Sequence, residues 1–119
     1  TGRYNLKLLA DIKNIINYEK IDETLNLVGL DCNDKRKYKQ YSLGMKQKLG
    51  IAQALMEDPD LILLDEPTNA LDEKSVENIL SIIEKEKAKG KLILIASHDK
   101  LILEQICDEI INIENGRII

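Results

Sequence analysis

Two apolar runs in this chain stop at residues able to do chemistry. Leu61-Ile62-Leu63-Leu64 is followed by Asp65-Glu66, and Leu92-Ile93-Leu94-Ile95-Ala96 by Ser97-His98-Asp99. Neighbouring residues on an extended chain point to opposite sides, so the two carboxylates are suited to different tasks. One can reach a hard cation such as Mg²⁺, directly or through its water. The other can orient a water molecule as nucleophile. His98 is the only histidine. Taken singly, Asp-Glu also reads as a polar strand exit before Pro67, a lone histidine as structural, and Asp99 as a helix cap. Gathered at the ends of two adjacent strands, they form a polar cluster that suits phosphoryl transfer, where catalysis is positioning plus charge stabilisation. A third element is Ser42-Leu43-Gly44 at the start of a helix. A hydroxyl, a glycine and a helix N-terminus make an anion-binding arrangement, although a serine N-cap needs no ligand.

The elements that must hold these groups follow from periodicity. Leu6, Leu9, Ile12 and Ile16 fall at helical spacing, as do Ile21, Leu25 and Val28, with Gly29 where a C-terminal cap belongs. The stretch 31–39 has loop composition. Its basic run Lys35-Arg36-Lys37-Tyr38-Lys39 reads as a solvated loop. Met45, Leu49, Ala52 and Met56 form one helical face with Ser42 as N-cap, and Asp58-Pro59-Asp60 breaks the helix. Leu61–Leu64 then reads as a strand covered on both faces. Asp72 caps a helix whose inner stripe is Val76, Ile79, Leu80 and Ile83. After Gly90, residues 92–96 make a second buried strand. Asp99 caps a helix carrying Leu103, Ile106 and Cys107 inward. Ile110–Ile113 and Arg117–Ile119 flank Glu114-Asn115-Gly116 as a hairpin. Helix, strand, helix, strand, helix, strand predicts an α/β fold with a parallel sheet, whose ligands gather at the carboxyl ends of the strands.

Composition bounds the rest. The 119 residues, 44% hydrophobic and 32% charged, amount to one domain's worth of chain and exclude wholesale disorder. No apolar run approaches the roughly 18 residues of a membrane span, and no signal-peptide pattern opens the chain, which points to a cytoplasmic protein. Seventeen basic against 21 acidic residues give a net charge of −4 and argue against a general nucleic-acid binder. Cys32 and Cys107 lie far apart without metal-type spacing and read as reduced and structural, Cys107 as a small core residue. The chain begins at Thr1 and ends at Ile119 without a polar tail, and reads as a piece of something longer.

In order along the chain, these pieces resemble the ATP-binding-cassette (ABC) ATPase domain. Tyr41-Ser42-Leu43-Gly44-Met45, followed by Lys46-Gln47-Lys48, looks like the signature motif usually written L-S-G-G-Q. Leu61–Asp65 with Glu66-Pro67-Thr68 looks like the Walker B strand and its exit. Asn69-Ala70-Leu71-Asp72 resembles the D-loop, and Ser97-His98-Asp99 the switch-histidine loop. Thr1–Leu6 looks like the start of the family's helical subdomain, so the resemblance spans the chain. Leu43 and Met45 depart from the usual signature, and the form Y-S-L-G-M-K-Q-K resembles a variant of bacitracin- or lantibiotic-type drug exporters.

The resemblance implies a P-loop NTPase-like parallel sheet with flanking helices and an N-terminal α-helical subdomain. Residues 1–57 would be that subdomain with the signature helix, and 58–119 the C-terminal part of the RecA-like ATPase core. It implies ATP and Mg²⁺ as cofactors: Asp65 holds Mg²⁺ through its coordination shell, Glu66 is the general base, and His98 contacts the γ-phosphate. Ser42, Leu43, Gly44 and Met45 would face ATP bound to a second subunit, and Asp72 would couple the two subunits of a head-to-tail homodimer. The implied partner is a membrane permease, engaged at the cytoplasmic face of the cell membrane and driven to export a peptide antibiotic or drug. No nucleic acid is expected. The Walker A pattern G-x-x-x-x-G-K-[ST] occurs nowhere, since Gly90-Lys91 is followed by Leu92. The first part of the nucleotide-binding core is therefore missing. The 119 residues alone are expected to be inactive as an ATPase, to leave a sheet edge exposed, and to self-associate. Two other readings stand beside this one: an ABC-type ATPase acting on ribosome or DNA, and a non-catalytic interaction module.

Overall fold

Ser42, Asp72 and Asp99 each stand one residue ahead of a helix and accept a hydrogen bond from the backbone N–H three residues on. The Met45, Ser75 and Ile102 amides donate at 3.1, 2.7 and 3.3 Å respectively. Each such cap satisfies an orphan donor and is worth about 1 kcal/mol. The computed structural model describes residues 1–12 and 18–119, with side chains for 1–9 and 19–119. Its elements run α1 (Gly2–Ile12), α2 (Tyr18–Leu27), a 3₁₀ turn (Tyr38–Gln40), α3 (Leu43–Leu55), β1 (Leu61–Asp65), α4 (Glu73–Ala88), β2 (Leu92–Ala96), α5 (Lys100–Ile106), and the short strands β3 (Ile113–Glu114) and β4 (Arg117–Ile118).

The α/β class with a parallel pair of strands matches the expectation. β1 and β2 pair in parallel, Leu61 opposite Leu92 through Asp65 opposite Ala96, with α4 as the crossover between them. α2 ends in a Schellman motif: Gly29 sits at φ +89°, and the Leu30 amide reaches back to the Leu25 carbonyl at 2.9 Å. One hydrophobic cluster joins Leu6 of α1, Ile21 and Leu25 of α2, Leu49 and Ala52 of α3, Ile62 and Leu64 of β1, and Ile79 and Ile83 of α4. Tyr41 belongs to the same cluster, and its hydroxyl accepts from the Gly2 amide at 3.0 Å, which ties the start of α1 to the residue preceding Ser42. A bidentate pair, Arg3 with Asp22 at 2.7 and 3.1 Å, clamps α1 on α2. Of the first helical stripe, Ile16 and the side chain of Ile12 lie outside the described residues.

Two expectations fail at the sheet. β1 and β2 are covered on one face only: Ile62 and Leu64 are buried, whereas Leu61, Leu63, Leu92 and Leu94 are 48–64% exposed. The packed helices lie on one side, and no described element covers the other. The third strand does not join the sheet either. Residues 113–118 form a separate antiparallel hairpin, turned at Asn115 (φ 50°) and Gly116 (φ 77°), and residues 108–119 are exposed throughout. The basic loop is solvated as read, with Arg36 folded onto Asp34 at 2.7 Å. Both cysteines are free thiols, half-buried against the core, and burial pushes the Cys107 thiol pKa up. Among the described residues, no helix is long and apolar enough to cross a membrane.

Candidate active site

The parallel pairing of β1 with β2 carries Asp65-Glu66 and Ser97-His98 to the same end of the ladder. Asp65 closes β1 and is exposed. At Glu66 the backbone leaves the extended region for φ +47°. The opposite-sides argument for the two carboxylates therefore does not apply, because residue 66 is no longer on a strand; a turn separates them. A non-glycine residue at positive φ costs of order 1–3 kcal/mol unless its surroundings fix it.

Those surroundings are on both sides of the residue. The Glu66 amide donates to the Ala96 carbonyl at 2.7 Å, extending the ladder by one bond. Its carbonyl accepts from the Gln47 side-chain amide at 2.6 Å and from the Asn69 amide at 3.1 Å. Its carboxylate accepts from the His98 backbone N–H at 3.0 Å (Oε1) and from the Ser97 hydroxyl at 3.2 Å (Oε2). Pro67, fully buried, follows directly. Glu66 is thus held at backbone and side chain while remaining about one-third exposed. The His98 imidazole is fully exposed, with Nε2 3.8 Å from Glu66 Oε1, outside hydrogen-bond distance but within Coulombic reach.

The other predicted site residues surround this end less directly. Ser42 and Leu43 are exposed at the start of α3. Met45 is half-buried against the core. Gly44 admits a close approach, but by the protein itself. A Cβ at that position would lie 2.9 Å from the Ala70 carbonyl oxygen, and Ala70 has φ 63°. Asp72 is exposed; its carboxylate is held below the usual range by the hydrogen bonds from Ser75. Among the described residues, no hydrogen bond or ion pair joins Ser42 or Asp72 to Glu66 or His98. The connections run through Gln47 and Gly44.

Sequence reasoning gave no role to Gln47 or to Ser97. Ser97 had a signal, since it directly precedes His98 at the strand exit. Gln47 stood only as part of the stretch that resembles the signature motif: its contact lies 19 residues along the chain, and it stands off the apolar stripe of α3.

The donor set fits a nucleotide-bound Mg²⁺ better than a protein-held metal. Among the described residues, no group of three His, Cys, Asp or Glu side chains is placed to hold a metal ion. Mg²⁺ dehydrates reluctantly and is usually held through one or two carboxylates plus substrate phosphates. A single exposed Asp65 beside an anchored carboxylate matches that usage.

The parallel ladder thus carries a carboxylate pair and a histidine at its carboxyl end, beside a helix capped by Ser42. Residues 5–69, more than half of the chain, match the family model described as ABC transporter, and the chain belongs to that family. It is 45% identical over 114 residues to the ABC transporter ATP-binding protein YybJ of Bacillus subtilis (strain 168), a match covering 96% of this chain and 52% of that protein. It is 38% identical over 120 residues to the bacitracin transport ATP-binding protein BcrA of Enterococcus faecalis, covering 100% of this chain and 39% of that one. Against the lantibiotic transport ATP-binding protein SrtF of Streptococcus pyogenes, identity is 50% over 95 residues, 80% of this chain and 42% of the other. The chain therefore spans about half, or less, of the curated relatives it matches.

Proposed function

We propose that these residues are the signature-to-switch part of an ABC ATP-binding subunit that hydrolyses ATP to drive export of a peptide antibiotic or drug through a membrane permease. In this reading residues 1–57 form the helical subdomain with the signature helix, and 58–119 the C-terminal part of the ATPase core. Segments outside these 119 residues supply the phosphate cradle that the sequence lacks. The bacitracin and lantibiotic relatives support the substrate class.

The observation that carries the reading is the fixing of Glu66 by two groups of the next strand's exit, with Asp65 and the His98 imidazole left open beside it. Glu66 takes a proton from the attacking water at its carboxylate. The hydrogen bonds from His98 N–H and Ser97 orient that carboxylate before substrate arrives, which removes reorientation from the barrier. The His98 imidazole would meet the γ-phosphate, and Asp65 would hold Mg²⁺. When bound, the ion would neutralise charge developing on the phosphates.

Ser42, Leu43, Gly44 and Met45 face the nucleotide of a second copy, with the α3 N-terminus contributing its positive end. Asp72 lies at the contact between copies in a head-to-tail homodimer. The assembly works at the cytoplasmic face of the membrane, which it touches only through the permease.

The test is Glu66→Gln in the complete subunit. ATP turnover is expected to fall roughly 100- to 10,000-fold, the range of a lost general base, while equilibrium ATP binding is retained. Unchanged turnover would overturn the role given to Glu66. Salt-dependent binding of RNA or DNA by the complete subunit would favour the ribosome- or DNA-acting alternative instead.

A further inference from the structure

Two residues in the first two turns of α3, Gln47 and Gly44, approach backbone carbonyls of the segment after β1. Gln47 donates its side-chain amide to the Glu66 carbonyl at 2.6 Å in a half-buried setting. One turn earlier, Gly44 lies against the Ala70 carbonyl, so closely that a Cβ would be 2.9 Å from the oxygen. Both touched residues, Glu66 (φ 47°) and Ala70 (φ 63°), are non-glycine residues at positive φ. Conformations of that kind persist only where neighbours over-determine them. The α3 N-terminal turns are therefore part of what holds the Glu66 backbone in place.

We propose that Gln47 is a positioning residue for Glu66: it links the helix that presents Ser42 and Gly44 to the carboxylate at the end of β1, so that displacing α3 displaces the base. The inference rests on the assignment of Glu66 as general base. Its chemical logic is directional. The amide group donates, the Glu66 carbonyl accepts, and the same carbonyl also accepts from Asn69. Losing the Gln47 donor leaves the turn with one bond fewer at the residue whose side chain must be aimed. A displacement of about 1 Å at a reacting group can cost on the order of 100-fold in rate. Among the described residues, the Gln47 side-chain hydrogen bond is to the Glu66 carbonyl and not to Asp65 or His98, so its effect passes through Glu66.

The experiment compares Gln47→Met, which keeps the length of the side chain and loses the donor, with Gln47→Glu, which puts an acceptor against the carbonyl. Both are made in the complete subunit, alone and combined with Glu66→Gln. Each single variant is expected to lower kcat roughly 10- to 100-fold, with ATP binding within about two-fold and the melting temperature nearly unchanged for at least one of the two. In the Glu66→Gln background, adding either Gln47 substitution is expected to lower the residual rate no further. If the Gln47 variants keep wild-type kcat while Glu66→Gln is inactive, this inference fails and the role of Glu66 stands. If they lower the rate by the same factor with and without Glu66, Gln47 acts through general folding and the inference fails. If Glu66→Gln itself retains turnover, the reading beneath it fails first.

Discussion

The two ends of the β1–β2 ladder are built from the same kinds of side chain and treat them oppositely. At the amino end, Lys91 enters β2 beside Asp58 and Glu86. Its ammonium lies 2.7 Å from Glu86 Oε2 and in close contact with Asp58, and Lys89 reaches Glu86 Oε1 at 3.2 Å. The Lys91 and Glu86 side chains are 8% and 9% exposed. Among the described residues, no well-directed hydrogen bond reaches Glu86 Oε2, although the Lys91 ammonium is close beside it. Burial pushes the Glu86 pKa up, but Lys91 and Lys89 outweigh it and hold the carboxyl below its usual range. At the carboxyl end, Glu66 takes its hydrogen bonds from an amide and a hydroxyl and, among the described residues, has no lysine or arginine ion-pair partner, and Asp65 and His98 stand in solvent. One end pairs its charges within the chain; the other leaves Asp65 and His98 open to solvent. Position on the sheet, not residue type, separates a paired carboxylate from an open one.

That contrast can be broken experimentally. The largest expected effect is the loss of turnover in Glu66→Gln, with little change in thermal stability, because the amide preserves the shape and can still accept one hydrogen bond. Next is Lys91→Met, which strands Glu86 with only the exposed Lys89 as partner. Breaking a buried pair in this way is expected to cost about 2–3 kcal/mol in denaturant unfolding, without changing turnover per folded molecule. Gly44→Ala is expected to cost about 1 kcal/mol. Its Cβ collides with the Ala70 carbonyl, and the helix propensity gained offsets only part of that; a melt resolves it.

The smallest effect belongs to a control pair outside both ends. Arg3, through its hydrogen bonds first and its charge second, holds the Asp22 carboxyl below its usual range. A depressed carboxyl contributes stability above its unfolded pKa and loses it as pH falls through the folded one. Asp22→Asn should therefore lower the melting temperature slightly at pH 7 and not at all near pH 2.

Much of this was legible because the signals are local. Ser42, Asp72 and Asp99 are short polar side chains that cap the next turn, and Asn115-Gly116 can adopt positive φ where most residues cannot. The capping geometry of Gly29 follows from the same rule. The strand exits were legible because an apolar run that stops at Asp-Glu or Ser-His must turn there. What was not legible depends on partners distant in the chain. Leu61, Leu63, Leu92 and Leu94 look as apolar as Ile62 and Leu64, and only the packing of the helices decides which face is bare. The positive φ of Glu66 has no mark in its residue type, since glutamate does not favour it. It is imposed by Ala96, Gln47 and Asn69 together.

The most direct test of the account is ATP turnover per folded complete subunit, measured side by side for Glu66→Gln and Lys91→Met. The account predicts that Glu66→Gln loses turnover and Lys91→Met keeps it within about two-fold, although Lys91→Met is the less stable protein. Wild-type turnover in Glu66→Gln, or equal losses in both variants, would contradict the division between a catalytic and a structural end.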